Sequence, residues 1–307
     1  MKKAFFQLYI AVFLAGFTGI LGRLISLNEG LLVWYRLFIT SATMWILFFF
    51  TNRLQKISLQ DALKLAGVGF LAALHWVTFY GSVKYANVSV ALVCFSATGF
   101  FTAIMEPLIL RKKVKWIELL LGIMVIAGIY VILHFDPKYK TGIILGVICA
   151  ILLAFVVIFL KEFVQRINPE TVLTYQLSGG LFLLSIGMPF YLHQFPTSYT
   201  FPGLRDWLWL LVLAWVCSVL AFRFTAYALK KLSAFTVNLS FNLEPVYGII
   251  LAFVVFHEEK KLSSSFFIGL LIIATSLLIH TLILLNQEKR KRQADLLKEK
   301  NVSNSIS

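Results

Sequence analysis

Ionisable side chains are scarce inside the apolar runs of this 307-residue chain, so the few found there are where any chemistry must reside. Glu244 stands near the middle of such a run with Pro245 directly after it. A carboxylate held out of water has its pKa raised towards neutrality, so it can take up and release a proton reversibly. The proline removes a backbone donor and bends its helix at that point. His75-Trp76 and Phe222-Arg223 form a second set, and each pair leads into Thr-x-Tyr, ending on Tyr80 and Tyr227. An aromatic ring beside a donor, offered twice, suits a small zwitterionic or aromatic solute through stacking and cation–π contact. Arg36 lies more than a turn inside the second run, and Arg23 lies near the end of the first, where it can snorkel to the interface. Placing a charge at the bilayer centre costs about 2.5 to 3.5 kcal/mol on insertion scales, so these positions are functional candidates by default. Each has a plainer alternative. Glu244 can be half of a structural ion pair, Arg223 its partner or that of Glu106, and His75 a hydrogen-bonded packing residue. Glu106 can equally answer the basic stretch that begins at Arg111. Asn238 and Asn242, at i and i+4, read as interhelical hydrogen-bonding groups.

The elements that hold these residues are membrane helices. The chain is 60% hydrophobic and 14% charged, whereas soluble domains carry about a quarter charged residues. Apolar runs of a length that spans hydrocarbon recur at 5–25, 31–51, 62–83, 88–110, 116–133, 143–160, 172–192, 207–229, 235–256 and 266–285. The expected fold is an all-α membrane protein with ten transmembrane helices. The opening Lys2-Lys3 and the apolar stretch after it imitate a signal peptide, but the run is too long and lacks a cleavage signature, so an uncleaved first span is expected. Cys94, Cys149 and Cys217 lie within runs and read as small core residues. Sequence signatures for nucleotide loops, zinc sites and nucleophile elbows are missing, so no cofactor and no metal is called for.

Charge gives direction. Assigning loops alternately puts 19 of the 28 Lys and Arg on the side of the termini, including the six between Lys289 and Lys300, and six on the other: Lys84, Lys138, Lys140, Arg205, Lys260 and Lys261. The excess marks the cytoplasmic side. Both termini are therefore expected in the cytoplasm of a cell (inner) membrane protein. The formal charge of +14 is topological and does not point to nucleic acid; the lipid bilayer and a small-molecule substrate are the expected partners, and a homodimer is compatible.

Sliding the chain by 147 residues places Thr78, Tyr80, Lys84, Val90, Leu92, Lys113, Gly122, Ile126 and Ala127 on Thr225, Tyr227, Lys231, Val237, Leu239, Lys260, Gly269, Ile273 and Ala274. Five crossings is an odd number, so the second copy must enter the membrane from the opposite face. The organisation expected is two inverted five-helix repeats, at 1–140 and 141–286, and a basic tail at 287–307, with the substrate site between the repeats.

With this layout, with Tyr35-Arg36-Leu37, with the stretch YGSVKYANVSVAL and its counterpart YALKKLSAFTVNL, and with Glu244-Pro245, the chain resembles the drug/metabolite transporter superfamily, and within it the EamA-like ten-helix exporters. The resemblance implies a carrier of small metabolites, such as amino acids or amphipathic compounds, with a cavity bounded by helices one to four and six to nine and with helices five and ten peripheral. It departs from the family in one respect, since Thr98 occupies the position that pairs with Pro245. Residues and resemblance together point to a secondary transporter working by alternating access, with the cavity between helices three, four, eight and nine and Glu244 as its working charge. The substrate-binding or coupling set is Glu244, His75, Trp76, Arg223, Arg36, Tyr80 and Tyr227. No enzymatic activity is expected; the alternative is a membrane enzyme acting on a lipid-linked substrate.

Overall fold

A computed structural model of the chain describes residues 2–306 apart from 112–115, 136, 230, 233–236, 238–239 and 242. Asn238 and Asn242 fall outside the described residues. Among the described residues ten helical spans follow one another: α1 (Lys2–Leu24), α2 (Glu29–Phe50), α3 (Leu59–Tyr85), α4 in two pieces (Val88–Phe95 and Thr98–Leu110), α5 (Trp116–Phe135), α6 (Lys140–Arg166), α7 (Pro169–Gln194), α8, α9 (Glu244–Phe256) and α10 (Ser264–Ile306). The eighth span is composite, running from Leu204–Leu211 through a π-helical stretch, Val212–Leu220, to Ala221–Leu229. Eight spans are long and apolar enough to cross a membrane by themselves, and shorter apolar helices at Trp116–Ile132 and Glu244–Phe256 supply the fifth and ninth. Asparagine or serine caps the starts of α2, α3, the first piece of α4, and α7, through Asn28, Ser58, Asn87 and Asn168, so the short loops end where free backbone N–H groups need acceptors.

The helix pairings follow the inverted repeat. α3 packs on α6 and α7, and its counterpart α8 packs on α1 and α2; α4 packs on α6, as α9 does on α1. Two four-helix bundles result, α1-α2-α8-α9 and α3-α4-α6-α7, each drawing helices from both repeats. They meet along α2 with α7 and α4 with α9. α5 and α10 pair with each other at the periphery, crossing where Gly128 and Gly269 bring their backbones together.

The second piece of α4 and α9 start close to the same repeat position. Ser96 and Ala97 interrupt the fourth span, and Leu243, the partner of Ser96, precedes the start of α9. Only the second break has a proline. In the first, the Ser96 hydroxyl donates to the Val93 carbonyl and the Thr98 hydroxyl to that of Phe95. Such back-bonding offers the backbone an alternative to the helical ladder, so hydroxyls sit where the repeat partner has proline.

The core is lopsided along the membrane normal. At the end away from the termini, Leu21, Ile25, Leu27, Leu32, Tyr80, Val83, Val88, Leu92, Leu210 and Leu213 belong to one continuous buried cluster. Toward the termini the burial splits into separate small clusters around Leu8, Leu65, Met44 and Val68. Among the described residues, the packing between the bundles is therefore continuous at the far end.

Candidate functional site

The far end is sealed by buried acids as well as by apolar packing. Glu258, 2% exposed in the turn after α9, accepts from the backbone N–H of Val88 (3.1 Å) and Ser89 (2.9 Å) and from the Ser89 hydroxyl (2.6 Å), and it pairs with Arg23. A carboxylate on the first N–H groups of α4 meets both the unfilled donors and the positive end of the helix dipole. Asp206, equally buried, accepts from Ser26 N–H and the Tyr199 hydroxyl, while Lys84 donates to the Ile25 carbonyl and Tyr191 to Glu29. The Arg23 guanidinium lies over the Phe256 ring at 4.3 Å, so it is held within its own bundle rather than extended to the interface, and Glu258 carries the contact on to α4.

At mid-depth, Arg36 is 6% exposed. Its Nη1 donates to the Tyr80 hydroxyl at 2.8 Å, its Nε and Nη2 donate to the Ser218 hydroxyl at 3.3 and 3.1 Å, and its plane lies 4.4 Å from the Trp76 ring. Ser218 reaches this position because the π-helical turn of α8 lets its hydroxyl donate to the Leu213 carbonyl five residues back; widened turns of this kind are often found at functional sites. No carboxylate among the described residues forms an ion pair with Arg36. The guanidinium borders a cavity of about 180 Å³ formed by Arg36, Thr40 and Met44 of α2, Trp76 of α3, Leu173 and Leu177 of α7, and Ser218 and Phe222 of α8.

Glu244 faces a different space. With Pro245 it lines a cavity of about 500 Å³ between α4, α5, α6, α9 and α10, together with Ser96, Thr98 and Thr102, and with Glu118 and His280 from the two peripheral helices. No ion pair joins it to Arg36 among the described residues. A third cavity, about 360 Å³, opens at the end of the termini; Arg223 and Tyr227 line it with Gln7, Arg53 and Glu170.

The seven residues singled out from sequence thus divide. Arg36, Tyr80 and Trp76 come together; Glu244 lines a second cavity; Arg223 and Tyr227 lie at the mouth. His75 is buried, with Nδ1 3.0 Å from the Cys149 carbonyl on α6 and its ring against Phe95. The single cavity expected between helices three, four, eight and nine is replaced by two cavities on opposite sides of the contact between bundles. The reason is that α3 and α8 occupy different bundles, so Trp76 faces Arg36 while Arg223, three residues past the end of the π segment, lines the mouth. Glu106 pairs with Lys161 of α6 at 2.9 Å. Sequence reasoning missed Thr40, Ser218 and Glu258. Thr40 sits one helical turn from Arg36 on the same face of α2, a spacing that sequence does reveal; the contribution of Ser218 depends on a π turn, and Glu258 reads as an ordinary loop acid.

Comparison with known proteins agrees with this architecture. A model of the EamA-like transporter family matches residues 2–134 and again 140–281. No curated protein matches. Among 23 matching chains of solved structures, one described only as the crystal structure of a protein aligns with a TM-score of 0.60 at 17% identity, over 92% of this chain and 98% of its own, which shows a shared fold. A twofold family match covering nearly the whole chain, on ten membrane helices paired as inverted repeats, leads to one conclusion: the chain belongs to the EamA-like transporter family.

Proposed function

We propose that this membrane transporter of small molecules is a secondary carrier that exports metabolites such as amino acids or amphipathic compounds by alternating access. The observation that carries the reading is the pair of opposite charges, Arg36 and Glu244, neither with an ion-pair partner among the described residues and each on the wall of a cavity beside the contact of two bundles that pack continuously at the far end. Unpaired charges at membrane depth are costly to keep, and their position between two bundles that can rock is where a solute and a coupling proton would be handled. Glu244 takes the proton-carrying role. Arg36, held by Tyr80 and Trp76, takes the solute. Arg223 and Tyr227 at the mouth receive it first, and His75 braces α3 against α6 beside Trp76.

The Lys and Arg excess on the side of the termini supports placing both termini in the cytoplasm of the cell membrane. With that orientation the state described is open inward, the state in which an exporter loads. The two repeats, at 1–140 and 141–286, each contribute two helices to either rocking bundle, and the tail at 287–307 stays on the cytoplasmic side.

Counterflow in proteoliposomes tests the proposal. Vesicles loaded with an unlabelled amino acid, carboxylate or cationic dye should accumulate the labelled form of at least one of them transiently, and Glu244→Gln should abolish the response to a pH gradient. Absence of counterflow with every class, from protein that remains monodisperse, would refute the carrier reading and favour an enzyme.

A further inference from the structure

From the cavity at Arg36 we infer the class of solute: a small organic monoanion, a carboxylate with a compact apolar body, bound through its charge to Arg36 and Thr40. This inference rests on the carrier reading and deepens it.

Several features of the cavity converge on that ligand. Arg36 commits only one N–H of each terminal nitrogen, to Tyr80 and Ser218, so one N–H on each remains uncommitted. Tyr80, behind the guanidinium, accepts from Arg36 and holds it in place. Thr40, 2% exposed on the cavity wall, has a hydroxyl with no partner, although Thr43 and Thr51 on the same helix donate back to the preceding turn. A buried donor left unsatisfied costs free energy, and here an acceptor entering the cavity would satisfy it together with the guanidinium. The stacked Trp76 and the two hydrogen-bonded hydroxyls fix the guanidinium plane beforehand, which lowers the ordering cost of binding.

The remainder of the wall sets the body and the net charge. Leu37, Met44, Leu173, Leu177 and Phe222 are apolar, and no acidic side chain among the described residues lines this cavity. An ammonium group would find no counter-charge there, so a zwitterion binds less well than the corresponding acid. Low polarity also disfavours a second negative charge, since an extra unpaired ion in such surroundings is strongly penalised. The volume of about 180 Å³ equals roughly six water molecules at about 30 Å³ each, which excludes nucleotides and peptides and fits a short branched or aromatic acid.

The test is direct binding to the full-length protein in lipid nanodiscs by titration calorimetry, with 4-methylpentanoate, its neutral amide, leucine and isopentylamine as probes. The carboxylate should bind saturably, at least tenfold tighter than leucine, and the amide and the amine should not bind. Arg36→Lys should weaken it by roughly thirtyfold or more, in line with loss of a buried charge-assisted contact, and Thr40→Val severalfold. Leu173→Trp, which fills the cavity and leaves every charged group in place, should abolish binding in protein that stays monodisperse. Equal or tighter binding of leucine or the amine, or carboxylate binding indifferent to both Arg36→Lys and Leu173→Trp, would overturn the assignment. If carboxylates fail to bind while counterflow of another class depends on Glu244, the anion assignment fails and the carrier reading stands; if nothing binds and nothing exchanges, both fail.

Discussion

Glu258→Gln probes the seal at the far end with almost no change in volume. The native carboxylate takes two backbone N–H groups and one hydroxyl from the start of α4 and pairs with Arg23 of α1. The amide keeps one acceptor oxygen, but its NH₂ must face a donor, and the charge opposite Arg23 and the α4 dipole is lost. Breaking a buried ion pair costs about 3 to 5 kcal/mol. The Arg23 side chain is 32% exposed and can rehydrate, so a loss of about 2 kcal/mol from the closed state is expected. At about 1.4 kcal/mol per decade, this raises the population open at the far end by roughly thirtyfold. A cysteine introduced at Leu27, fully buried beside the seal, in a background where Cys94, Cys149 and Cys217 are replaced by alanine, reports that population through its rate of labelling by a membrane-impermeant maleimide. Glu258→Gln should speed labelling by roughly ten- to thirtyfold on this arithmetic. Unchanged rates in both Glu258→Gln and Glu258→Ala, with the protein folded, would show that the apolar plug alone closes this end.

Three further outcomes follow from the packing. A Cβ at Gly69 would overlap the Gln176 carbonyl of α7, while one at Gly67 meets nothing within 4 Å; Gly69→Val should therefore destabilise by about 3 kcal/mol or more through overpacking and lose its monodisperse peak on size-exclusion chromatography, whereas Gly67→Val should keep it. His75→Leu removes the hydrogen bond to the Cys149 carbonyl and should lower the melting temperature through a loss of about 1 to 3 kcal/mol while leaving the KM of transport unchanged; a raised KM at unchanged stability would make His75 a solute contact. Thr98→Pro puts proline at the first position of the Thr98–Leu110 helix, where its missing N–H is one of the unpaired ones anyway, so the melting temperature should shift little, and a collapse of folding would show that the Thr98 hydroxyl is indispensable to the break.

Sequence reveals the ten spans because lipid demands continuous apolar runs with internally satisfied backbones, and the inverted order of the repeats because five crossings reverse direction. The break at Glu244-Pro245 is visible for the same local reason. Its counterpart at Ser96-Ala97 is not, because serine and threonine back-bonding leaves no signature as sharp as proline. The candidate site was legible in part. Arg36, Trp76 and Tyr80 stand out as polar or aromatic residues in apolar helices, but their convergence depends on α2 and α3 coming from opposite bundles, which a single-chain pattern does not encode. Ser218 enters the site only through a π turn among residues that read as ordinary helix. Arg223 looked equivalent to Trp76 by repeat register, yet the π segment before it turns the end of α8 toward the mouth.

The central claim is that two bundles, α1-α2-α8-α9 and α3-α4-α6-α7, rock about cavities between them. Distances measured by double electron–electron resonance between spin labels on the two bundles test it most directly, one pair at Gln60 and Tyr227 near the termini and one at Tyr85 and Arg205 at the far end, all exposed positions. Across pH and saturating solute, the account predicts reciprocal change, with the pair near the termini shortening as the far pair lengthens. Pairs that move together, or both stay fixed while counterflow proceeds, would contradict it.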